Sequence, residues 1–108
     1  MVMHIRPQEL AAKVQAGEPV YLLDVRQPVE HTIAALAGSV LIPLNELPAR
    51  TAEVAPPAGA LVVVYCHHGM RSLRAAGFLE ANGIPNVASL TGGIDAWSCE
   101  VDPSLPRY

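Results

Sequence analysis

The sequence predicts a small α/β domain of three layers, in which a central, mostly parallel sheet of four to five strands is flanked by helices. Short, unbroken apolar runs alternate with stretches of helical periodicity, and parallel strands buried on both faces have this continuous apolar character. With 108 residues, the chain has room for one modest core. We therefore expect a single domain over residues 1–108, with its core at about 4–98 and a short C-terminal tail at 99–108.

The first predicted element is a helix over residues 7–16. Leu10 and Val14 share one helical face, Pro7 suits a first turn and Gly17 suits a C-terminal stop. Further along the chain, strands and helices alternate. Strands are predicted at residues 20–24, 39–42, 61–65 and 87–90, and helices at 28 to about 33, 45 to about 54 and 72 to about 82.

This alternation implies right-handed crossovers between parallel strands. In open sheets of this kind, ligands collect at the edge formed by the carboxyl ends of the strands. Two polar segments follow strands at that edge. Cys66 follows the longest and most apolar run, which is predicted to be the central strand, and the segment from Asp24 to Arg26 follows a different strand at the same edge.

Composition excludes several classes of partner. The formal net charge is −3, and no block of Lys or Arg is present, so nucleic acid and anionic membrane surfaces are not expected partners. No apolar segment approaches the roughly 20 residues that span a bilayer, and the N-terminus lacks the pattern of a secretory signal. Two cysteines without a Cys-x-x-Cys pair do not form a disulfide framework. A cytoplasmic protein in a reducing compartment is predicted.

The segment from Cys66 to Ser72 is predicted to be a reactive thiol loop at a strand-to-helix turn. Backbone N–H groups of such a turn, the N-terminus of the following helix and the guanidinium of Arg71 all favour a thiolate, and they also favour an anionic substrate. Gly69 permits a positive φ or a close backbone approach in the middle of the loop. The thiolate is the reactive form, of which an unperturbed cysteine supplies only a few per cent at neutral pH.

Other interpretations of these residues remain open. Cys66 as a small buried apolar residue is the alternative, although it leaves an arginine and two histidines at the ligand edge unexplained. His67 and His68 fit a substrate contact and a solvated loop about equally, and adjacent Cys-His-His residues do not suit one metal ion. Neither a metal nor a cofactor is predicted. Cys99, which has no loop pattern around it, is interpreted as an incidental thiol.

Three ordered elements resemble the rhodanese family of sulfurtransferases. The segment Cys66-His-His-Gly-Met-Arg-Ser72 is similar to the family's active loop, Cys-x-x-Gly-x-Arg-Ser/Thr. Asp24-Val-Arg26 with Glu30 resembles its Asp-x-Arg…Glu element, and Leu90-Thr-Gly-Gly-Ile-Asp-Ala-Trp97 resembles its Leu-x-Gly-Gly-x-x-Ala-Trp ending. The resemblance covers roughly residues 4–98. It fails at residues 34–39, Ala-Ala-Leu-Ala-Gly-Ser, where the family usually has Gly-His-Ile-x-Gly-Ala.

The resemblance implies a rhodanese-like fold and transfer of sulfane sulfur through a persulfide on Cys66. The donor would be thiosulfate or a protein persulfide, and the acceptor would be cyanide, a small thiol or a thioredoxin-like protein. Asp24 and Arg26 would support the sheet edge, and the glycines and tryptophan of the ending would serve packing. The residues expected to bind substrate are His67, His68, Gly69, Met70, Arg71 and Ser72.

Three other functions compete with sulfur transfer. Phosphatases and arsenate reductases of related fold place five residues between Cys and Arg, whereas four intervene between Cys66 and Arg71, which leaves less room around a tetrahedral phosphate. A non-catalytic or regulatory binding module is the main alternative, since fold alone does not exclude it. A redox sensor would need Cys99 to resolve an oxidised Cys66, and nothing near Cys99 in the sequence supports that role.

Overall fold

The computed structural model describes residues 2–108 and contains one five-stranded sheet. Its strands are β1 (Met3–Ile5), β2 (Val20–Asp24), β3 (Val40–Leu41), β4 (Leu61–Tyr65) and β5 (Val87–Leu90). Their order across the sheet is β1-β5-β4-β2-β3, and every neighbouring pair is parallel. The predicted fold class is therefore confirmed, and β4 is the central strand, as expected from its long apolar run.

Four helices lie between successive strands, and a fifth follows β5. They are α1 (Pro7–Gln15), α2 (Pro28–Ile33), α3 (Leu47–Arg50), α4 (Met70–Ala81) and α5 (Gly93–Glu100), and a 3-10 turn over Thr51–Glu53 follows α3. The helix predicted at 45–54 is thus two short pieces. Helix α4 begins two residues earlier than predicted because Gly69, with φ of 113°, takes the N-cap position.

Two elements were missed by the sequence analysis. Strand β1 has three residues at the edge of the sheet, where it pairs with β5, and so short a run carries no visible periodicity. Helix α5 begins at Gly93, directly after the left-handed Gly92. Consecutive glycines indicate a turn in a sequence, and here they form both the turn and the start of a helix.

Helices cover β4 on both faces. Val62 and Val64 belong to one buried cluster with residues of α4, whereas Val63 and Tyr65 belong to another with residues of α1 and α5. Successive side chains of a strand point to opposite faces, so a strand covered on both sides must be apolar throughout. This explains the unbroken run before Cys66, and it places the thiol at the carboxyl end of the central strand.

The segment that departs from the family pattern is held by buried polar groups. The guanidinium of Arg26 donates to the carbonyl of Ala34 at 2.6 Å. The Tyr65 hydroxyl accepts the N–H of Leu36 at 3.2 Å and lies 2.7 Å from the Ser39 hydroxyl. Residues 34–39 are thereby fixed against β2 and β4 without the glycine and histidine that the family pattern has there.

The C-terminal tail packs on the domain. The Ser98 hydroxyl donates to the carbonyl of Leu105 at 2.7 Å, and the Leu105 side chain packs against the core. Arg107 pairs with Asp95 of α5 at 2.9 Å. These contacts direct Tyr108 toward the carboxyl edge of the sheet. Within residues 2–108, no helix is long and apolar enough to cross a membrane.

Candidate active site

The side chain of Cys66 is enclosed by its own loop. Only 1% of the residue is exposed, and its Sγ accepts the backbone N–H of Gly69 at 3.1 Å and that of Ser72 at 3.3 Å. Two N–H dipoles therefore point at the sulfur from inside the loop. Backbone donors arranged in this way stabilise negative charge on the atom they surround.

The N-terminus of α5 holds the loop in this orientation. The N–H of Ile94 donates to the carbonyl of Cys66 at 2.9 Å, and the N–H of Asp95 donates to the carbonyl of His67 at 3.1 Å. The first N–H groups of a helix have no partner within it, and here the loop carbonyls accept two of them. Because these carbonyls are turned toward α5, N–H groups of the same loop are left to face the sulfur.

Gly93 makes the close approach of α5 to the loop possible. A Cβ atom at this position would lie 2.4 Å from the carbonyl oxygen of Cys66 and 2.5 Å from that of His67. The φ of Gly93 is +63°, a left-handed value that favours glycine. The sequence analysis interpreted Gly92 and Gly93 as packing residues, and the packing partner of Gly93 is the cysteine loop itself.

Ser72 closes the loop from α4. Besides its N–H contact with sulfur, its hydroxyl donates to the carbonyl of Gly69 at 3.1 Å and lies 2.8 Å from the hydroxyl of Ser89. Both serines are buried, and Ser89 belongs to β5, next to the central strand. Ser89 was not among the predicted site residues, although a polar residue inside an apolar strand was a signal that could have identified it.

Arg71 forms a two-point ion pair with Glu30. Its two terminal nitrogens lie 2.6 and 2.9 Å from the carboxylate oxygens, a charge-assisted geometry that is among the strongest in proteins. The hydrogen bonds with Arg71 lower the pKa of Glu30 to about 2. The same hydrogen bonds and the negative charge of Glu30 raise the pKa of Arg71, although burial opposes this. Arg71 is thus a fixed positive charge beside the loop.

Tyr108 connects the loop to the neighbouring strand end. Its hydroxyl donates to Glu30 at 2.7 Å and accepts from Arg26 at 2.8 Å. Its ring stacks on the imidazole of His67, with centroids 3.9 Å apart and an angle of 7° between the planes. Burial raises the pKa of Tyr108 to about 12, so the phenol keeps its proton in neutral solution. No sequence pattern indicated this residue.

Asp24 and Arg26 form a buried ion pair below this network. Both side chains are fully buried, and the shortest contact between them is 2.7 Å. Burial opposes the charge of Arg26, but hydrogen bonds with Asp24 and Tyr108 outweigh it and raise its pKa. His31 places Nδ1 2.8 Å from the Asp24 carboxylate. These contacts fit the support role that the resemblance implies for Asp24 and Arg26.

The remaining loop residues differ in how closely they are held. Burial, and then the charge of His68, lower the pKa of His67, which favours the neutral imidazole at pH 7. His68 is 65% exposed in its side chain and lies 3.8 Å from Asp95, and Met70 is 76% exposed. All the residues from Cys66 to Ser72 lie in one loop and the first turn of α4, with Asp24 and Arg26 linked to them through Glu30 and Tyr108.

Comparison with known proteins assigns this architecture to a family. A family model described as Rhodanese-like domain matches residues 6–100. The Rhodanese-like/PpiC domain-containing protein 12, chloroplastic, of Arabidopsis thaliana is 38% identical over 116 residues, which cover 99% of this chain and 38% of that protein. A sulfurtransferase of Allochromatium vinosum is 34% identical over 98 residues, covering 91% of this chain and 90% of that one.

A solved structure agrees with these matches. The crystal structure of a rhodanese-like domain protein from Staphylococcus aureus superposes with a TM-score of 0.82 at 28% identity, and the match covers 99% of each chain. The chain therefore belongs to the rhodanese-like domain family, as the three motifs indicated. It spans 38% of the Arabidopsis relative but nearly the full length of the Allochromatium and Staphylococcus proteins.

Proposed function

We propose that this chain is a sulfurtransferase that carries sulfane sulfur as a persulfide on Cys66. One observation carries the proposal: a thiol at the carboxyl end of the central strand, with two backbone N–H groups of its own loop directed at the sulfur. Such a site stabilises a thiolate before the reaction and a persulfide anion after it. The Allochromatium relative is named a sulfurtransferase, and this supports the same class of reaction.

In the first step, the Cys66 thiolate attacks the outer sulfur of a donor such as thiosulfate. A bond forms between the two sulfur atoms, the S–S bond of thiosulfate breaks, and sulfite leaves with the bonding electron pair. In the second step, cyanide or a thiolate attacks the outer sulfur of the persulfide and releases the Cys66 thiolate. Such a two-step covalent exchange requires no cofactor, and ping-pong kinetics are its expected signature.

The loop residues have separate roles in this scheme. The N–H groups of Gly69 and Ser72 offset the charge on sulfur, and the positive charge of Arg71 lies beside them. Because Glu30 holds the Arg71 guanidinium at two points, we assign to Arg71 mainly a fixed positive field. The guanidinium of Arg71 could contact the oxygens of the donor only if its ion pair with Glu30 loosened. His67 and Met70 would shape the entrance to the thiol, and His68 would lie at its exposed rim.

The decisive experiment is intact mass spectrometry of the reduced protein after thiosulfate and then after cyanide. We expect a gain of about 32 Da, the mass of one sulfur atom, that cyanide removes. Cys66→Ser should abolish the gain. Cys99→Ser is the matched control, because Cys99 is the other free cysteine and is exposed, and this variant should load like the wild type.

Three results would contradict the proposal. Sulfur loading that persists in Cys66→Ser would move the reaction to another residue. Failure of the wild type to load from thiosulfate and from a protein persulfide donor would favour a binding or regulatory module. Hydrolysis of an aryl phosphate would support a phosphatase instead, against the four-residue spacing between Cys66 and Arg71.

A further inference from the structure

Arg74 differs from every other basic side chain in residues 2–108. Each of the other Arg and Lys side chains has a carboxylate partner within 3.3 Å, whereas no hydrogen bond or ion pair from this part of the chain engages the guanidinium of Arg74. The paired side chains are Arg6, Lys13, Arg26, Arg50, Arg71 and Arg107. Arg74 is exposed, so its guanidinium is available to an anionic ligand in a chain whose formal net charge is −3.

Arg74 lines a cleft that also includes Arg71, which belongs to the Cys66–Ser72 segment. The cleft has a volume of about 610 Å³ and lies between α4 and the segment that leads into α3. Arg71 and Arg74 line it one helical turn apart on α4, and none of the described acidic side chains lines it. Residues three apart on a helix are neighbours on its surface. Since Glu30 already occupies both terminal nitrogens of Arg71, Arg74 is the arginine whose donors remain for a ligand.

The rest of the cleft is mostly apolar. Leu47 lies at the buried side of the cleft, and Phe78 packs partly against the core. The amide groups of Gln27 and Asn45 are hydrogen-bonded to each other at 3.3 Å. A complementary ligand has an apolar chain and an anionic end. The apolar residues that line the cleft are Leu44, Leu47, Pro48 and Phe78.

We propose that this cleft binds the sulfur acceptor, and that the acceptor is an organic thiol carrying a carboxylate that pairs with Arg74. The inference rests on the proposed sulfur transfer. The acceptor thiolate attacks the outer sulfur of the Cys66 persulfide, a new S–S bond forms on the acceptor, and the S–S bond to Cys66 breaks and returns the thiolate. The thiol proton passes to solvent before the attack. Arg74 acts here as a determinant of acceptor specificity.

The test compares two acceptors of equal length, 6-mercaptohexanoate and 6-mercaptohexanol. Their thiols are alike and only the far end differs in charge. Protein loaded with sulfur is mixed with each thiol in a single turnover. The ratio to be compared is the second-order rate constant for 6-mercaptohexanoate divided by that for 6-mercaptohexanol. A partly exposed ion pair predicts a ratio about threefold lower in Arg74→Gln than in the wild type, and about tenfold lower in Arg74→Glu.

Matched controls are Lys13→Gln and Lys13→Glu, which change the net charge equally at the opposite edge of the sheet. Lys13 pairs with Glu18 at the exposed end of α1, and its variants should keep the wild-type ratio. A ratio that is unchanged in both Arg74 variants, while sulfur is still transferred, would overturn this inference and leave the proposed function intact. Slower loading by thiosulfate with an unchanged ratio would assign the cleft to the donor instead. Absence of any persulfide would overturn both proposals.

Discussion

Replacing Gly93 with alanine is expected to disturb the cysteine loop through the backbone alone. The new Cβ would lie 2.4 Å from the carbonyl oxygen of Cys66, a distance at which the loop and α5 must separate. Separation weakens the hydrogen bonds from Ile94 and Asp95 that orient the loop carbonyls. The N–H groups that face the sulfur then lose their fixed direction.

The magnitude follows from two contributions. A left-handed φ costs a non-glycine residue about 1–2 kcal/mol, and each lost backbone hydrogen bond costs about 1 kcal/mol. If both bonds are lost, Gly93→Ala lowers the free energy of unfolding by about 3–4 kcal/mol. A domain of this size is commonly stable by about 5–15 kcal/mol, so the variant should still fold.

Two other glycines provide control variants for Gly93→Ala. Gly83 has a φ of +85°, and no described atom lies within 4 Å of the position that a Cβ would take there, so Gly83→Ala measures the backbone cost alone, about 1–2 kcal/mol. Gly77 lies inside α4, where a Cβ meets a methyl group of Val2 at 3.8 Å. Gly77→Ala should stabilise the protein by about 0.5–1 kcal/mol.

Urea unfolding measures the three stabilities, and the mass increase after a short exposure to thiosulfate measures loading. We expect Gly93→Ala to load more slowly than both controls. The reasoning fails if Gly93→Ala matches Gly83→Ala in stability to within about 0.5 kcal/mol and loads sulfur at the wild-type rate. That result would mean that the contact between α5 and the loop relaxes without affecting either stability or the rate of sulfur loading.

Two further predictions concern the network beside the loop. Glu30→Gln should lower the free energy of unfolding by about 1.5–3 kcal/mol at pH 7, because the charged hydrogen bonds to Arg71 are lost. Since the folded pKa of Glu30 is about 2 and its usual value is 4.5, this stabilisation is complete above pH 4.5 and is lost as the pH falls toward 2. The difference in the free energy of unfolding between wild type and Glu30→Gln, measured in urea, should therefore be smaller at pH 3 than at pH 7. An equal difference at both pH values would show that the ionised pair is not the source of this stabilisation. Tyr108→Phe should cost about 1 kcal/mol, because it removes the hydroxyl between Arg26 and Glu30, and Tyr108→Ala should cost about 0.5–1.5 kcal/mol more through the lost stacking on His67. Wild-type unfolding midpoints in both Tyr108 variants would show that the tail does not support the loop.

The sequence was sufficient to predict the elements that are buried on both faces. Strands β2, β4 and β5 have the predicted bounds because strands covered by helices are mostly apolar, and Asp24 and Ser89 interrupt these runs only singly. Helix α2 was also predicted within a residue or so, since Pro28 at its first turn is a local signal. Local chemistry was enough for these elements. It was insufficient for β1 and α5, which depend on β5 and on the cysteine loop for their contacts.

The residues of the loop could be predicted from the sequence, whereas the pairing of the loop with Glu30 and Tyr108 could not. Cys66, Gly69 and Arg71 belong to one short segment, so their spacing can be recognised directly in the sequence. The partners of that turn are far away in the chain: Glu30 is 41 residues from Arg71, and Tyr108 is 78 residues from Glu30. Such pairings are decided by the packing of the whole domain. A single sequence carries no local pattern for them.

The loop is consequently held from three sides by groups with different sensitivities. The N-terminus of α5 holds its carbonyls through uncharged hydrogen bonds, and Ser72 and Ser89 hold its closing turn inside the core. Glu30 holds Arg71 through a charged pair that is only partly buried. Acid and salt weaken the last contact before the other two, since uncharged buried bonds neither titrate nor are screened. Acid near pH 2, where Glu30 takes up a proton, should therefore loosen Arg71 while the N–H groups still face the sulfur.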